Sequence, residues 1–150
     1  MKNFYGIPEV TGPDLVETGK KQLIALGGEL VDAQVTELEP IEGGIRLTAG
    51  DRQIEAKHVI LATGMVANLA EASGITTKPG TEPRIKTIID VDAQGKTNIS
   101  GVWAAGTVAG VSMHVIITAG DGAKVAINVI SELNGERYVD HDVLPAPSNA

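Results

Sequence analysis

The amino-acid sequence predicts an α/β fold in three layers, with a parallel sheet and a small antiparallel meander. Residues 59–64 (Val-Ile-Leu-Ala-Thr-Gly) and 101–106 (Gly-Val-Trp-Ala-Ala-Gly) are typical of buried parallel strands, which are continuous in apolar residues. Both runs end in glycine, which lets a ligand approach the backbone closely. Because ligands of open α/β sheets bind at the carboxyl ends of the strands, the sequence predicts a ligand site where these two strands end.

The first helix is predicted to begin at Thr11, whose side chain can cap it, with Asp14 in the first turn. An apolar stripe then follows at helical spacing, comprising Leu15, Gly19, Leu23 and Leu26. The glycine pair at 27–28 is expected to end the helix.

Between this helix and the first buried strand, the chain alternates between apolar and polar residues. Residues 31–35 alternate as in a strand, residues 45–49 repeat the pattern, and a turn at residues 50–51 leads back into residues 53–56. The pattern predicts a three-stranded antiparallel meander that feeds the buried strand at residues 58–62.

Shorter elements are expected after Gly64. Residues 65–73 are rich in alanine and predict a short helix, whereas residues 74–83 contain glycine and proline and predict a loop. A strand is expected at residues 85–91 and a turn at residues 92–96.

The last helix is predicted to start near residues 112–114 and to stop at Asn134 and Gly135, because glycine suits a left-handed cap. Its small residues form a stripe that permits close approach to a sheet or a ligand, and these are Ala119, Gly122, Ala123 and Ala126. We expect one domain over residues 1–138 and a polar, proline-containing tail over residues 139–150.

Three segments together carry a family resemblance, namely residues 59–64, 101–106 and 118–123 (Thr-Ala-Gly-Asp-Gly-Ala). They resemble the FAD domain of the pyridine nucleotide-disulphide oxidoreductases, most closely that of the low-molecular-weight thioredoxin reductases. Residues 3–15 resemble the segment and helix entry that follow the first βαβ unit of that family. The resemblance covers most of residues 3–138 and implies an FAD/NAD(P)-binding-like domain.

Several parts of the family pattern are missing from this sequence. No G-x-G-x-x-G phosphate loop occurs, and no βαβ unit precedes Asn3. Residues 65–84 are too few to hold the inserted NAD(P)H domain of the family. The sequence therefore does not identify NAD(P)H as the electron donor. The chain has no cysteine, so it cannot run dithiol exchange by itself. We therefore expect an FAD-type domain that lacks the amino-terminal βαβ unit.

The resemblance implies six cofactor-binding residues: Thr63, Gly64, Gly106, Thr107, Met113 and His114. Thr107 stands where the family usually has an aspartate that accepts a hydrogen bond from a ribityl hydroxyl of FAD, so charge assistance is lost. Met113 and His114 match the pair that meets the pyrimidine edge of the flavin at a helix amino terminus, where backbone N–H groups stabilise negative charge. His114 can also be a capping or partly buried histidine with no redox role.

Composition and apolar run length argue against nucleic acid and a lipid bilayer as binding partners. A net charge of −7 argues against nucleic acid, whose binding depends on Lys and Arg. The apolar stretch at residues 115–130 contains Asp121 and Lys124 and is too short for a membrane span. No apolar signal core follows Met1, so a cytoplasmic location is expected. The adjacent residues 140–142 (Asp-His-Asp) are not expected to converge on a metal ion.

Two functions follow as expectations. The first is an FAD-dependent oxidoreductase of thioredoxin reductase type, which passes electrons through the flavin between an external donor and an external acceptor. The alternative is a non-catalytic remnant or subunit that binds a partner polypeptide. Loss of the first strand would leave backbone groups of its neighbours unpaired. We therefore expect a homo-oligomer, or a separate polypeptide that supplies the βαβ unit.

Overall fold

The computed structural model describes residues 1–139 as a mixed α/β fold with parallel and antiparallel sheets, which confirms the predicted fold class. The helices are α1 (Gly12–Ala25), α2 (Asn68–Ala72) and α3 (Val115–Asn134), with a 3-10 helix at Gly106–Ala109. The strands are β1 (Val35–Ile41), β2 (Gly44–Ala49), β3 (Arg52–Ala56), β4 (Val59–Leu61), β5 (Thr77–Pro79), β6 (Thr87–Ile89) and β7 (Val102–Ala104). Residues 140–150, which hold almost all of the predicted tail, lie outside the described residues.

The predicted meander is present as the antiparallel sheet β1-β2-β3. Its register places Arg46 opposite Glu39 on one side and Glu55 on the other. Arg46 donates hydrogen bonds to Glu55 at 3.0 Å and to Glu39 at 3.2 Å. The hydrogen bond to Glu55 is the main reason that the pKa of the Arg46 guanidinium is raised above its ordinary value. The inner face of this sheet contributes Leu38 and Ile45 to the core.

The first strand of the meander lies at Val35–Ile41, so the prediction of a strand at residues 31–35 is wrong except at Val35. The side chains of Leu30 and Val31 are 49% and 38% exposed. Alternation makes a segment suitable for a strand, but a strand also needs a neighbour for its backbone N–H and C=O groups. In the described part of the chain no strand lies beside residues 30–34.

The loop predicted at residues 74–83 is also partly wrong, because it contains β5. This strand pairs antiparallel with β6, and Thr77 lies opposite Ile89. Pro79 has no backbone N–H, but it stands at the end of an edge strand, where proline is tolerated. The expected strand at residues 85–91 is present as the shorter β6, and the expected turn at residues 92–96 is present.

The two predicted buried strands pair in parallel as β4 and β7, with Leu61 opposite Ala104. The turn at residues 92–96 covers the other edge of β7, where the Ala104 N–H donates to the Gly95 C=O at 2.9 Å. Trp103 is 1% exposed, and its indole N–H donates to His58 Nδ1 at 3.1 Å. The ammonium group of Lys96 lies 5.0 Å from the centre of the Trp103 ring.

The two long helices begin and end close to their predicted residues. Thr11 caps α1 by accepting a hydrogen bond from the Asp14 N–H at 3.2 Å. Gly135 ends α3 in the left-handed conformation, with φ of 71°. Helix α3 packs on Trp103 through Val125 and Val129, whereas α1 buries no residue. Neither helix, nor any other in residues 1–139, combines the length and apolar character that a membrane crossing requires.

Candidate cofactor site at the carboxyl ends of the parallel strands

The register of β4 and β7 places their two glycine-containing ends at the same edge. Leu61 lies opposite Ala104, and the Ala105 N–H donates to the Leu61 C=O at 3.0 Å. Since the strands are parallel, the residues that follow them, Gly64 and Gly106, leave the sheet on the same side. Both have positive φ, 71° and 76°, which other residues rarely adopt. The structure therefore brings together the two strand ends that the sequence singled out.

Asp121 on α3 fixes the position of Gly106. Its Oδ2 accepts the Gly106 N–H at 2.7 Å, and its Oδ1 lies 2.6 Å from Nζ of Lys124. The Asp121 side chain is only 7% exposed, so a carboxylate here requires partners for both oxygens. Because the Gly106 N–H is used by Asp121, this amide is not a free donor for a ligand.

Thr107 follows directly and is nearly buried, at 8% exposure. It lies in the 3-10 helix that turns the chain away from β7, and its C=O accepts the Gly110 N–H at 3.0 Å. Gly110 ends this turn with φ of 86°. The predicted contact residue is thus held in a short, well-defined turn at the sheet edge.

The amino terminus of α3 lies against the same edge. A Cβ on Gly106 would stand 3.8 Å from Cβ of Thr118, which is in the first turn of α3. His114 is the N-cap residue, and its C=O accepts the N–H groups of Ile117 and Thr118. Its side chain makes no capping hydrogen bond, so among the described residues the N–H groups of Val115 and Ile116 keep their hydrogen-bonding capacity for another partner.

Both predicted residues at this helix start are accessible. His114 is exposed, and its Nδ1 lies 3.5 Å from Nδ2 of Asn3, which connects the amino-terminal segment to α3. Met113 is 45% exposed. Neither side chain is committed to the core.

Thr63 lies at the end of β4 beside a cavity. Its hydroxyl donates to the Val66 C=O at 2.7 Å, which closes a small turn. The cavity has a volume of about 590 Å³ and is bounded by residues 33–36 on one side and by Thr63, Val66 and α2 on the other. A separate cavity of about 470 Å³ lies beside Trp103 and the carboxyl-terminal half of α3, away from this edge.

Sequence reasoning missed Asp121 as a member of the site. The available signal was a single acidic residue within the apolar run at residues 115–130. Its partner lies 15 residues away, on a different element. Spacing along the chain does not identify such a contact. In the part of the chain that the structure describes, no three His, Asp or Glu side chains cluster as metal ligands.

Curated relatives align with part of this chain. An NADPH-dependent thioredoxin reductase 3 from Arabidopsis thaliana is 34% identical over 68 residues, which are 45% of this chain and 13% of that protein. A thioredoxin reductase from Peptoclostridium acidaminophilum is 35% identical over 76 residues, which are 49% of this chain and 24% of that protein. The chain thus spans less than a quarter of the length of these relatives.

Solved structures share the fold. The atypical thioredoxin reductase from Desulfovibrio vulgaris Hildenborough superposes with a TM-score of 0.78 at 17% identity, covering 91% of this chain and 85% of that one. A thioredoxin reductase from Gloeobacter violaceus gives a TM-score of 0.78 at 14% identity, with coverage of 96% and 84%. A ferredoxin-flavin thioredoxin reductase from Clostridium acetobutylicum gives 0.69 at 17% identity, with coverage of 90% and 83%.

At these identities the structural likeness shows the fold alone, and the family assignment comes from the sequence. The family model described as pyridine nucleotide-disulphide oxidoreductase matches residues 10–123, well over half of the chain. This range includes α1, the meander, both glycine-ended strands and the first turns of α3. The chain belongs to the pyridine nucleotide-disulphide oxidoreductase family.

Proposed function

We propose that this chain is a flavoprotein oxidoreductase that holds FAD at the carboxyl ends of β4 and β7. The observation that carries the proposal is the pair of positive-φ glycines, Gly64 and Gly106, at one edge of the parallel strands. Family membership supports it, and one structural neighbour is a ferredoxin-flavin thioredoxin reductase.

The residues at this edge fit the riboflavin part of FAD. Apart from Gly64 and its two neighbours in the chain, no atom of the described residues lies within 4 Å of the place that a Gly64 Cβ would occupy, so a ligand has room beside that backbone. The Thr107 hydroxyl can both donate and accept hydrogen bonds, which suits a sugar alcohol. When bound, FAD would supply the hydride or electron transfer itself.

The protein would provide position and electrostatics. Asp121 holds Gly106, and through it the start of the 3-10 helix, at a fixed distance from α3. The amino terminus of α3 carries the positive end of the helix dipole and N–H groups that can stabilise a negatively charged ring edge. Thr107 replaces a charged acceptor with a neutral one, which weakens the hydrogen bond to the ligand.

The sequence contains no recognisable loop that would bind the pyrophosphate of FAD. A G-x-G-x-x-G turn would donate several backbone N–H groups from a helix start, and the sequence has none. We therefore propose that the isolated chain binds FAD weakly. Since the chain has no cysteine, its electron donor and acceptor, with NAD(P)H one possible donor, would both dock from outside.

Titration of FAD into the purified chain tests the proposal by flavin fluorescence and visible absorbance. We expect saturable binding with a dissociation constant above about 1 µM, because the phosphate donors are missing. Stoichiometric uptake below that concentration would show that another element replaces the phosphate loop.

Two substitutions of His114 separate a backbone role from a side-chain role. His114 has φ of −64°, which proline also adopts, so His114→Pro removes the amide N–H at compatible geometry. His114→Ala keeps that amide and serves as the matched control. We expect His114→Ala to change FAD affinity and flavin potential only slightly, and His114→Pro to change them more. Equal effects would contradict the backbone role.

The exposed face of α1 favours the second candidate, a non-catalytic subunit that binds a partner polypeptide. None of the 14 residues of α1 is buried, although its stripe is apolar. A colourless protein that takes up no FAD in the titration would favour this candidate over the first.

A further inference from the structure

A further cavity lies at the amino ends of β4 and β7, at the edge of the sheet opposite to the candidate cofactor site. Its volume is about 440 Å³. It is bounded by the turn between β1 and β2, by Lys57 and His58 before β4, and by residues 99–101 before β7. Three polar side chains therefore border one cavity, those of Lys57, His58 and Ser100.

The hydrogen bond between Trp103 and His58 determines which ring nitrogen of His58 carries the proton. The indole N–H of Trp103 can only donate, so His58 Nδ1, at 3.1 Å, is the acceptor and carries no proton. In the neutral imidazole the proton is then on Nε2. His58 borders the cavity, and its ring therefore carries an N–H donor there that Trp103 does not use.

Lys57 contributes a positive charge to the cavity. It is exposed, and in the described part of the chain it belongs to no salt bridge. Its ammonium group has three N–H donors on a flexible stem, which can adjust to an anionic oxygen. Ser100 is also exposed and adds a hydroxyl that can donate.

The pairing of β4 with β7 sets the positions of these residues. The Val59 N–H donates to the Gly101 C=O at 2.8 Å, and Val59 lies opposite Val102. Gly101 has φ of 79°, and a Cβ on it would stand 2.9 Å from the Lys57 C=O. Glycine thus permits the close approach of the two strand starts. The donors before β4 and before β7 are held side by side by the sheet.

The local charge of this cavity differs from that of the whole chain. The chain has 19 acidic and 12 basic residues, but no carboxylate is among the described side chains that line this cavity. The cavity beside Trp103 is lined by two acidic and two basic residues. Glu42 and Glu55 line a smaller neighbouring cavity, and Glu55 is already bonded to Arg46. An anion is therefore favoured in the cavity at the amino ends.

We propose that this cavity binds the anionic group of a small molecule, a phosphate or a carboxylate, through Lys57, the Nε2–H of His58 and the Ser100 hydroxyl. Hydrogen bonds from a charged donor to an anion are roughly twice as strong as those between neutral groups. At about 440 Å³ the cavity has the size of a small-molecule site, so the ligand can be larger than its anionic group. This inference is independent of FAD binding, which is proposed at the opposite edge of the sheet.

Titration of the purified chain with inorganic phosphate, and separately with acetate, tests the proposal. Chloride keeps the ionic strength constant in both series. The chain has one tryptophan, so NMR can follow a single indole N–H, whose acceptor His58 borders the cavity. We expect a saturable shift with a dissociation constant of about 1 mM for phosphate, and weaker binding of acetate, which carries less charge. Tighter binding of acetate would identify a carboxylate as the preferred group. No saturation with either anion would overturn the proposal.

A matched pair of lysine substitutions locates the charge that matters. Lys57→Gln removes the ammonium group, and we expect it to weaken phosphate binding about tenfold or more. Lys21→Gln is the control, because Lys21 is also exposed and outside the salt bridges of the described residues but lies on α1. We expect Lys21→Gln to leave the affinity unchanged. Equal weakening by the two substitutions would show a general effect of net charge and would overturn the site.

His58→Asn separates ligand binding from the stability of the fold. The asparagine oxygen can accept the Trp103 N–H in place of Nδ1, but no donor remains at the position of Nε2. We expect an almost unchanged urea midpoint and phosphate binding weakened about threefold or more. Glu42→Gln removes a nearby carboxylate and should tighten phosphate binding. Unchanged phosphate affinity in both Lys57→Gln and His58→Asn, with both variants folded, would exclude this cavity as the binding site.

Discussion

Helices α1 and α3 are both amphipathic, but they differ completely in burial. Helix α3 contains Val125 at 0% and Val129 at 8% exposure, packed on Trp103 of β7. Helix α1 has a cap, a first-turn acidic residue and an apolar stripe, and none of its residues is buried. A helical pattern therefore predicts that a helix forms, whereas burial depends on what other parts of the chain place beside it.

The same contrast separates the two sides of the parallel pair. The β7 side is covered by the turn at residues 92–96 and by α3, and its side chains are fully buried. Among residues 1–139, β4 pairs with no strand besides β7, and both α1 and residues 30–34 are exposed. Substitutions of the same type on the two sides should thus differ in their effect on the free energy of unfolding.

The largest difference is expected between two glycine substitutions. A Cβ on Gly95 would stand 2.6 Å from Cγ2 of Val125, and Gly95 has φ of 96°. We expect Gly95→Ala to lower the free energy of unfolding by about 3 kcal/mol, from backbone strain and overlap together. A Cβ on Gly19 of α1 meets nothing within 4 Å among the described residues beyond the adjacent backbone of its own helix, and Gly19→Ala should stabilise that helix by about 0.5 kcal/mol or more. Urea titrations of both variants measure the change in the free energy of unfolding. A similar loss in each variant would contradict the expected difference between Gly95 and Gly19.

A valine on each helix gives the next comparison. Val125→Ala removes two methyl groups from a fully buried side chain, and we expect a loss of about 2 kcal/mol. Val16→Ala removes the same groups from a side chain that is 57% exposed, and its effect on the free energy of unfolding should stay within about 0.5 kcal/mol. Thermal unfolding at low protein concentration makes the measurement. If Val16→Ala costs as much as Val125→Ala, α1 packs on the domain in solution.

Substitution of Asp121 tests whether its hydrogen bond to the Gly106 N–H positions the end of β7. Asp121→Ala leaves the Gly106 N–H without its partner, and we expect a loss of about 1 to 2 kcal/mol. Asp121→Asn retains an oxygen that can accept this hydrogen bond and should lose less. FAD affinity, measured alongside urea unfolding, should follow the same order. Greater damage from Asn than from Ala would contradict the positioning role.

The smallest effect is expected at the cap of α1. Thr11→Ala removes a cap that stabilises a helix by about 1 kcal/mol. Since α1 contributes no buried residue, we expect reduced helical circular dichroism with almost no change in the unfolding midpoint of the domain. A clear fall in that midpoint would show that α1 is coupled to the core.

Local patterns predicted the elements that depend on local chemistry. The cap at Thr11, the meander turns and the left-handed Gly135 all lie at or near their expected residues. The pattern at residues 31–34 failed because strand formation there needs a neighbour. Strand β5 was missed because the glycine and proline of residues 74–83 are typical of a loop, whereas residues 77–79 form a strand through their pairing with β6. For the site, sequence indicated the two glycine strand ends, and the register of β4 and β7 brings them to one edge. The contact of Asp121 with Gly106 could not be predicted from the sequence, because the two residues lie on different elements and meet only in the folded chain.

Trp103 is the only tryptophan of the chain, and it lies three positions before Gly106 on β7. Its emission thus originates from one known place, enclosed by His58, Lys96 and α3. A shift of that emission to longer wavelength would report water entry at β7, independently of any change at α1. Indole emission overlaps flavin absorption, so the same side chain is also an intrinsic energy-transfer donor for a flavin bound at this edge. Trp103 is therefore an intrinsic fluorescent probe. Its emission reports both unfolding of the sheet at β7 and binding of a flavin at this edge.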